Sequence, residues 1–256
     1  LFAEGSNLGY WSGNRTDLSQ WQSASSKDAN SVSGDPLFTA DTNLHANANV
    51  CDGQAMPIVG LLDDIDGEQR DASNPDIGAD EFYKTPLAGT YTIGGASPDY
   101  ATLSDAVDDL RIKSVSGDVY FKMREGTYHE QVSIEQVYGV TPEFSVTFEP
   151  ENSDSVAITF APTSSANYIV QFDDADYVTF RNLTFTATGS SYGRVFDFLD
   201  GSQHITIDSN IINGLSVVTT SSNSAVIYSY SGTDNNNTTI TNNTINNGSY
   251  GIYING

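Results

Sequence analysis

The strongest constraint on this chain is a short pattern that recurs in its C-terminal third. Each copy has an alternating apolar strand, a polar turn that contains asparagine, and a second apolar pair. The copies are residues 177–185, 204–212 and 238–245. Alignment on Phe180, Ile207 and Ile240 gives spacings of 27 and 33 residues, and we attribute the longer spacing to an extra loop at 231–237. This period, with no WD or kelch signature, predicts the stacked coils of a solenoid.

Short β-rich runs precede the repeat, and the intervals between them are too short for the crossover helices of a βαβ fold. The predicted strands are Val119–Met123, Gln131–Ile134, Ser145–Phe148, Ala157–Phe160, Ile169–Phe172 and Val178–Phe180. We therefore expect an all-β, right-handed parallel β-helix whose inward side chains stack on those one coil away, about 4.8 Å distant. At one turn, Asn182, Asn210 and Asn243 are expected to form a structural ladder of side-chain amides.

One helix is predicted at about 102–112, ahead of the strands. Leu103, Ala106, Val107 and Leu110 repeat at helical spacing and give one apolar face. Thr102, followed by Asp105 three residues later, resembles a capping box with Asp in place of Glu. A single amphipathic helix before a run of strands is expected to cover the end of the β-helix core.

The sequence changes character near residues 83–89. Residues 1–82 are irregular and rich in Asp, Asn, Ser and Ala, whereas short β-rich runs fill 90–256. The intervening 83–89 contain Pro and Gly, which favour a linker. We therefore predict an N-terminal unit at 1–82, a linker at 83–89 and a β-helix unit at 90–256 that is truncated at its C-terminal end.

The composition limits the partners. With 33 acidic and 10 basic residues, the formal net charge is −23, which disfavours nucleic acid and anionic membrane surfaces. No apolar run is long enough for membrane insertion. The acidity is interpreted mainly as solubility, although it is also compatible with Ca²⁺. Cys51 is the single cysteine, so no internal disulfide can form. This composition is compatible with an exported protein.

The β-helix unit resembles the start of pectin-lyase-like right-handed β-helices, and its opening is most similar to pectin methylesterases. The resemblance is carried by YATLSDAV at 100–107, VYFKM at 119–123 and GTYHEQV at 126–132. It implies an N-terminal capping helix followed by a first coil. Pectin methylesterases use two aspartates from later coils with a nearby Arg and Gln, and no matching motif occurs in the coils present here.

Residues 1–82 resemble the segment that closes such β-helix domains in large secreted proteins, notably of Bacteroidota. The residues that carry this resemblance are DANSVSGDPLF at 28–38, DTNLH at 41–45, DIDGEQR at 64–70 and PDIGADEF at 75–82. It implies that the chain spans the junction between two β-helix modules, as in a tandem array, and that the protein is secreted or lies at the bacterial cell surface. An end of β-helix core left uncovered would then stack on further coils or on another subunit.

The candidate metal ligands lie in an acidic stretch near the end of the N-terminal unit. Asp64, Asp66 and Glu68 alternate around a glycine, and Asp76 follows. Oxygen ligands at this spacing favour Ca²⁺, but the closing Glu of an EF-hand is missing. In the alternative interpretation, Arg70 and backbone amides satisfy these carboxylates. His45, His129 and His204 are isolated in sequence, and no spacing indicates Zn²⁺.

No catalytic residues are assigned. A glycosidase needs two carboxylates, and the β-helix unit offers Asp173, Asp174, Asp176, Asp197, Asp200 and Asp208. The first three are better explained as a coil turn in which Asp caps its own backbone. A lyase needs a basic residue near Ca²⁺, and we predict no acidic partner for Arg181 or Arg194. Cys51 is expected to be inert.

Three functions remain open. The first is a structural or adhesive repeat module that self-associates or adjoins other β-helix modules. The second is a carbohydrate-active enzyme, such as a polysaccharide lyase, esterase or glycosidase. The third is a polysaccharide-binding module that uses exposed aromatic side chains. The aromatic candidates are Tyr192, Tyr228, Tyr230 and Tyr253.

Overall fold

A computed structural model describes residues 7–38, 45–46, 48, 50–82, 85–152, 155–199, 201–230 and 235–254. The chain forms two compact units, Leu1–Thr85 and Pro86–Gly256. This division falls inside the predicted linker at 83–89. The interpretation of the first unit as the end of a preceding module stays a prediction.

The N-terminal unit contains little regular structure. Strands β1 (Gly9–Tyr10) and β2 (Asn14–Arg15) form a short antiparallel hairpin. Helix α1 (Leu18–Ser25) follows, and the Asp17 side chain accepts a hydrogen bond from the Gln20 backbone N–H at its N-terminus. The later described residues of this unit form turns and loops, as the sequence predicts.

The C-terminal unit begins with strand β3 (Leu87–Ile93) and helix α2 (Leu103–Ile112), and five coils of three parallel strands follow. Coil 1 contains β4 (Val115–Met123), β5 (Gly126–Tyr128) and β6 (Val132–Ile134). Coil 2 contains β7 (Val146–Pro150), β8 (Val156–Phe160) and β9 (Val170–Phe172). Coil 3 contains β10 (Val178–Arg181), β11 (Thr184–Ala187) and β12 (Phe196–Phe198). Coil 4 contains β13 (Thr206–Asp208), β14 (Ile211–Asn213) and β15 (Ile227–Ser229). Coil 5 contains β16 (Thr239–Thr241), β17 (Thr244–Asn246) and β18 (Ile252–Ile254).

Corresponding strands of successive coils pair in parallel and form three sheets. Sheet 1 contains β3 and the first strand of every coil, sheet 2 the second strands and sheet 3 the third strands. The register aligns Phe180 with Ile207 and Ile207 with Ile240, as the repeat predicts. The all-β parallel β-helix with its capping helix is thus confirmed. None of the helices that the structure describes is long and apolar enough to cross a membrane.

Stacked aromatic rings fill the core behind sheet 1. The rings of Phe121 and Phe148 have centroids 4.9 Å apart, and those of Phe148 and Phe180 lie 4.7 Å apart and nearly parallel. All three side chains are fully buried. Because parallel pairing places equivalent positions directly above one another, coils 1 to 3 each add one ring to this column, and Ile207 and Ile240 continue it in coils 4 and 5.

Helix α2 covers the end of this core. Its buried residues are the four predicted ones, Leu103, Ala106, Val107 and Leu110, and its first turn has the predicted capping box. A further carboxylate holds the helix in place: Glu130 of coil 1 accepts hydrogen bonds from the backbone N–H groups of Leu103 and Ser104. A negative charge at a helix N-terminus is stabilising because the first N–H groups lack partners inside the helix.

Two sequence predictions about connections were wrong. Leu87–Gly89, assigned to the linker, belongs to β3, because Leu87 is buried and its strand pairs with β4. The longer repeat is also not explained mainly by a loop at 231–237. The connection between β14 and β15 contains 13 residues, 214–226, whereas its counterpart in coil 3 contains eight, 188–195.

The turn from sheet 1 to sheet 2 has the same backbone in coils 3, 4 and 5. It begins with Asn182, Ser209 or Asn242, each in the left-handed region with φ between 56° and 58°. Asn tolerates this conformation better than most residues because its short side chain can hydrogen-bond locally. Only two residues separate the strands at this corner in each of these coils.

The second residue of this turn carries the asparagine ladder. Asn243 Oδ1 accepts hydrogen bonds from the Asn210 backbone N–H and from Asn210 Nδ2, at 2.8 and 3.2 Å. Asn210 Oδ1 in turn accepts from the Leu183 backbone N–H at 2.9 Å. The inclusion of Asn182 was wrong by one position, because it aligns with the first turn residue and Leu183 occupies its expected place.

Truncation of a ring in the aromatic column should destabilise the β-helix. Phe148→Ala removes a side chain in contact with rings on both sides, and we expect it to lower the free energy of unfolding by about 3–5 kcal/mol. Denaturant titration followed by circular dichroism measures the change. Val218→Ala is the matched control, because Val218 is fully exposed and its truncation should change stability by less than about 0.5 kcal/mol. Equal effects of the two substitutions would contradict the stacked core.

Candidate functional site

The outer face of sheet 3 combines polar and aromatic side chains. Ser133, Gln171, Asp197, Tyr228 and Tyr253 occupy equivalent positions on its five strands. Their neighbours on these strands point into the core, so alternation directs this set outward. The parallel register thereby places two carbohydrate-binding candidates of the sequence, Tyr228 and Tyr253, one above the other.

A buried ion pair lies at the centre of this face. Arg194 Nη1 donates to Asp197 Oδ1 at 3.0 Å, and Gln171 Nε2 donates to Asp197 Oδ2 at 3.0 Å. Arg194 is 6% exposed and Asp197 is 2% exposed. Burial raises the pKa of Asp197, and the hydrogen bonds from Gln171 and Arg194 oppose that change. The prediction that Arg194 has no acidic partner was therefore wrong.

Tyrosine rings surround the guanidinium group of Arg194. Its Cζ lies 3.4 Å from the centroid of the Tyr228 ring, which is close enough for a cation–π contact. Tyr253 stacks on Tyr228 with centroids 5.4 Å apart, and the Tyr230 hydroxyl accepts a hydrogen bond from Arg194 Nη1 at 3.0 Å. Tyr228 is buried, whereas Tyr230 is 40% exposed. We call Arg194, Tyr228, Tyr230, Tyr250 and Tyr253 the tyrosine face.

The long connection at 214–226 borders the tyrosine face. Arg194 Nε donates to the Ser222 carbonyl oxygen at 3.2 Å, and the Tyr250 hydroxyl donates to the Thr220 carbonyl oxygen at 3.3 Å. The Tyr250 ring also packs against the edge of Tyr253, with centroids 5.1 Å apart. These contacts orient the rings before any ligand binds. Tyr192, the fourth tyrosine named from the sequence, is half-buried and is not part of the tyrosine face.

The outer face of sheet 1 carries a column of alternating charges. Lys122, Glu149, Arg181 and Asp208 occupy equivalent positions on successive strands. Glu149 pairs with Lys122 on one side and accepts a hydrogen bond from Arg181 Nε at 2.6 Å on the other. The prediction that Arg181 lacks an acidic partner was also wrong, because the pairing connects residues 32 positions apart.

Both carboxylates in this column are held ionised. Burial by itself raises the pKa of Glu149, but the hydrogen bonds from Arg181 and Lys122 outweigh it and lower the pKa. Asp208 accepts hydrogen bonds from the Thr241 hydroxyl and the Asn242 amide, both at 2.8 Å, and these lower its pKa. Neither group resembles a general acid, which requires a raised pKa.

Three of the other aspartates weighed as catalytic candidates lie in one coil turn. Asp176 accepts a hydrogen bond from the Gln203 backbone N–H at 2.8 Å, and Asp174 lies in the left-handed region with φ 58°. Asp173 donates its backbone N–H to the Ile134 carbonyl oxygen at 2.9 Å. Asp200 lies outside the described residues. Asp176 thus lies in a coil turn, as the sequence predicts, but it bonds to the backbone of the next coil and not to its own.

The histidines and the cysteine have varied surroundings. His129 Nδ1 lies 2.7 Å from the Thr159 hydroxyl, and the His204 ring stacks on Tyr177 with centroids 4.4 Å apart. Cys51 is buried. His45 is not isolated, contrary to the sequence-based prediction, because its Nε2 lies 2.5 Å from Asp66 Oδ2. A separation of 21 residues along an irregular segment concealed this pairing.

The four predicted calcium ligands do not converge. Asp64 Oδ1 accepts hydrogen bonds from the backbone N–H groups of Asp66 and Glu68, both at 2.8 Å. Asp76 is buried, and its two carboxylate oxygens accept from the backbone N–H groups of Gly53 and Phe82. The carboxylates of Asp64 and Asp76 therefore accept backbone hydrogen bonds. Of the four predicted ligands, only Asp66 belongs to a group of described side chains that lie close enough together to hold one metal ion.

Backbone hydrogen bonding by carboxylates is general in this unit. Glu81 is 3% exposed and accepts from the backbone N–H groups of Asp71 and Asp76, at 2.9 and 3.0 Å. Arg70 lies 3.6 Å from Glu81 and donates to the Asp76 and Gly78 carbonyl oxygens. This arrangement matches the alternative interpretation, in which Arg70 and backbone amides satisfy the acidic stretch.

Comparison with known proteins adds little beyond the fold. No protein-family model matches the chain, and no curated protein matches it. The chain is similar to a crystal structure of a pectin methylesterase mutant in complex with a hexasaccharide, with a TM-score of 0.42 and 12% identity. The match covers 62% of this chain and 50% of that chain. The fold assignment rests on the strand ladders, and no activity or substrate follows from this likeness.

The Glu149 ion pairs predict a pH-dependent stability. Because its pKa is lowered from 4.5, the Glu149 carboxylate stabilises the folded state above that pH, and this contribution is lost as the pH falls through the folded-state pKa. Glu149→Gln should lower the free energy of unfolding at pH 7 by about 1–3 kcal/mol and flatten its dependence on acidic pH. Denaturant titrations between pH 3 and pH 7 measure both effects. Glu143→Gln, at an exposed position, should leave the profile unchanged.

Proposed function

We propose that this chain is a structural and adhesive module of a secreted bacterial surface protein, and that it binds polysaccharide through the tyrosine face. The observation that carries the proposal is the Arg194–Tyr228–Tyr253 stack on the outer face of sheet 3, with the 40% exposed Tyr230 beside it. Tyrosine rings combine a large apolar surface with a hydroxyl group, a combination enriched at binding surfaces. Hydroxyl-rich sugars offer both apolar ring faces and hydrogen-bonding groups to such a site.

The rigidity of the tyrosine face supports binding. Asp197, Tyr230 and the Ser222 carbonyl oxygen all accept hydrogen bonds from Arg194, so the guanidinium group is held in one orientation. The long connection at 214–226 fixes Tyr250 from the side. Side chains that are already ordered lose little conformational entropy when a ligand binds.

The charge of the site favours a neutral polysaccharide over an anionic one. Asp197 neutralises Arg194, the one basic group of the tyrosine face. The whole chain carries a formal charge of −23, so a polyuronate would be repelled. Tyrosines at equivalent positions of coils 4 and 5 would place two rings along one polymer chain. A structural role in a tandem surface array is compatible with this binding.

Loss of Tyr230 or Tyr253 should weaken polysaccharide binding. In affinity electrophoresis with a mixed-linkage glucan or a galactomannan as probe, we expect Tyr230→Ala and Tyr253→Ala each to weaken retention about tenfold, and the double variant more. Truncation of interface tyrosines commonly has effects of this size. Tyr10→Ala is the matched control, because Tyr10 is 73% exposed but belongs to the N-terminal unit. Polygalacturonate should cause less retention than either neutral polymer.

Two results would contradict this proposal. If a polymer that binds the wild type retains the double variant equally well, the tyrosine face does not bind the polysaccharide. Release of reducing ends or of methanol from a polysaccharide would instead support the enzymatic alternative. The specific observation behind that alternative is Asp197, a carboxyl group whose pKa is raised by burial next to Arg194 and Gln171. Asp197→Asn would then abolish the product.

End-to-end self-association remains a prediction, and β18 supports it. Ile252 and Ile254 align with core positions of β15, yet they are 46% and 68% exposed. Burial of such side chains against another coil is favourable. Sedimentation velocity at increasing concentration should show oligomers, and Ile254→Asp should reduce them because it places a charge in the contact. Val218→Asp, on an exposed loop, is the control. A wild-type chain that stays monomeric throughout would contradict the prediction.

A further inference from the structure

Three side chains from separate stretches of the N-terminal unit converge on one point. One ligand atom from each of His45, Asp66 and Asp80 lies within 4.8 Å of the other two. Within the part of the chain that the structure describes, this is the one group of three such side chains so close together. An imidazole and two carboxylates at this separation are the donor types that bind divalent metal ions.

The surroundings of Asp80 give separate evidence that this cluster binds a ligand. Asp80 as a residue is 6% exposed, and its carboxylate lies within 4.8 Å of the ligand atoms of His45 and Asp66. The neighbouring buried carboxylates of Asp76 and Glu81 each accept two backbone N–H hydrogen bonds. The Asp80 oxygens are not among the fully buried side-chain atoms without a partner, so they reach solvent at the cluster and can coordinate a cation there. A cation would balance the charge of this largely buried carboxylate.

We propose that His45, Asp66 and Asp80 form a binding site for a divalent transition-metal ion of the zinc type. The imidazole nitrogen favours such a metal over Ca²⁺, which prefers a set of six to eight oxygen ligands. The two carboxylates balance the charge of the ion, and water completes the coordination. The side chains of His45 and Asp66 are 36% and 53% exposed, so an ion can reach the site from solvent.

The metal would tie the irregular N-terminal unit together. The ligands are 21 and 14 residues apart along the chain, and the described residues between them contain no helix or named strand. Asp66 is already fixed by its neighbours, because its backbone N–H donates to Asp64. Binding of one ion closes both intervening loops at once, which couples metal affinity to the folding of this unit.

Calorimetric titration of the chelator-treated full chain with ZnCl₂ tests the site. We expect one Zn²⁺ per chain and an increase in the melting temperature when the ion is present. His45→Gln and Asp80→Asn should each weaken Zn²⁺ binding by about tenfold or more, in line with the effect of disturbing a metal centre. Asp63→Asn is the matched control, since Asp63 is a nearby exposed carboxylate outside the cluster.

A second measurement on the wild-type chain does not depend on whether the variants fold. The sequence contains three histidines, so imidazole ¹⁵N resonances can be followed individually. Zn²⁺ should shift the His45 resonances and leave those of His129 and His204 in place, and a tenfold excess of Ca²⁺ should not reverse the shift. The proposal is overturned if the wild type binds no Zn²⁺, if another histidine responds instead, or if folded Asp80→Asn binds Zn²⁺ as tightly as the wild type.

Discussion

The structure of the C-terminal unit depends on in-register parallel hydrogen bonding between successive coils. This pairing places each residue next to the residue at the same position one coil away, about 4.8 Å distant. A phenylalanine in one coil therefore meets a phenylalanine in the next, as Phe121, Phe148 and Phe180 do. Charges follow the same constraint, because like charges directly opposite each other are destabilising. The alternation of Lys122, Glu149, Arg181 and Asp208 on sheet 1 is its consequence.

The described part of the N-terminal unit shows no such repetition and uses its acidic side chains instead. Asp64, Asp76 and Glu81 accept hydrogen bonds from backbone N–H groups that have no strand partner. Each buried N–H group needs an acceptor, and in a segment without sheets a carboxylate can provide it. Part of the strong negative charge of the chain thus has a structural role in this unit, in addition to its contribution to solubility.

The sequence predicts the β-helix because the same apolar pattern recurs at positions that the fold superimposes. Phe180, Ile207 and Ile240 reveal the register directly, and Leu103 to Leu110 reveal the capping helix. Asn182 was misplaced because the turn contains two residues with different roles, and asparagine occurs at both. The first residue has the left-handed backbone conformation, and the second forms the asparagine ladder. Contacts between residues far apart left no local pattern. Arg181 meets Glu149 across a coil, and His45 meets Asp66 and Asp80 across irregular loops, so only the structure reveals them.

The corners of the coil differ in how much change they tolerate. The two-residue turn from sheet 1 to sheet 2 is fixed in coils 3 to 5 by its left-handed residue and, in coils 4 and 5, by the asparagine ladder. The corner before sheet 3 has absorbed additional residues at 214–226 without disturbing the register of β14 with β17 or of β15 with β18. The corner before sheet 3 therefore differs in length between coils 3 and 4, whereas the turn from sheet 1 to sheet 2 keeps two residues in coils 3 to 5. In evolution, such a scaffold can acquire new recognition loops in one place while its core sequence stays constrained.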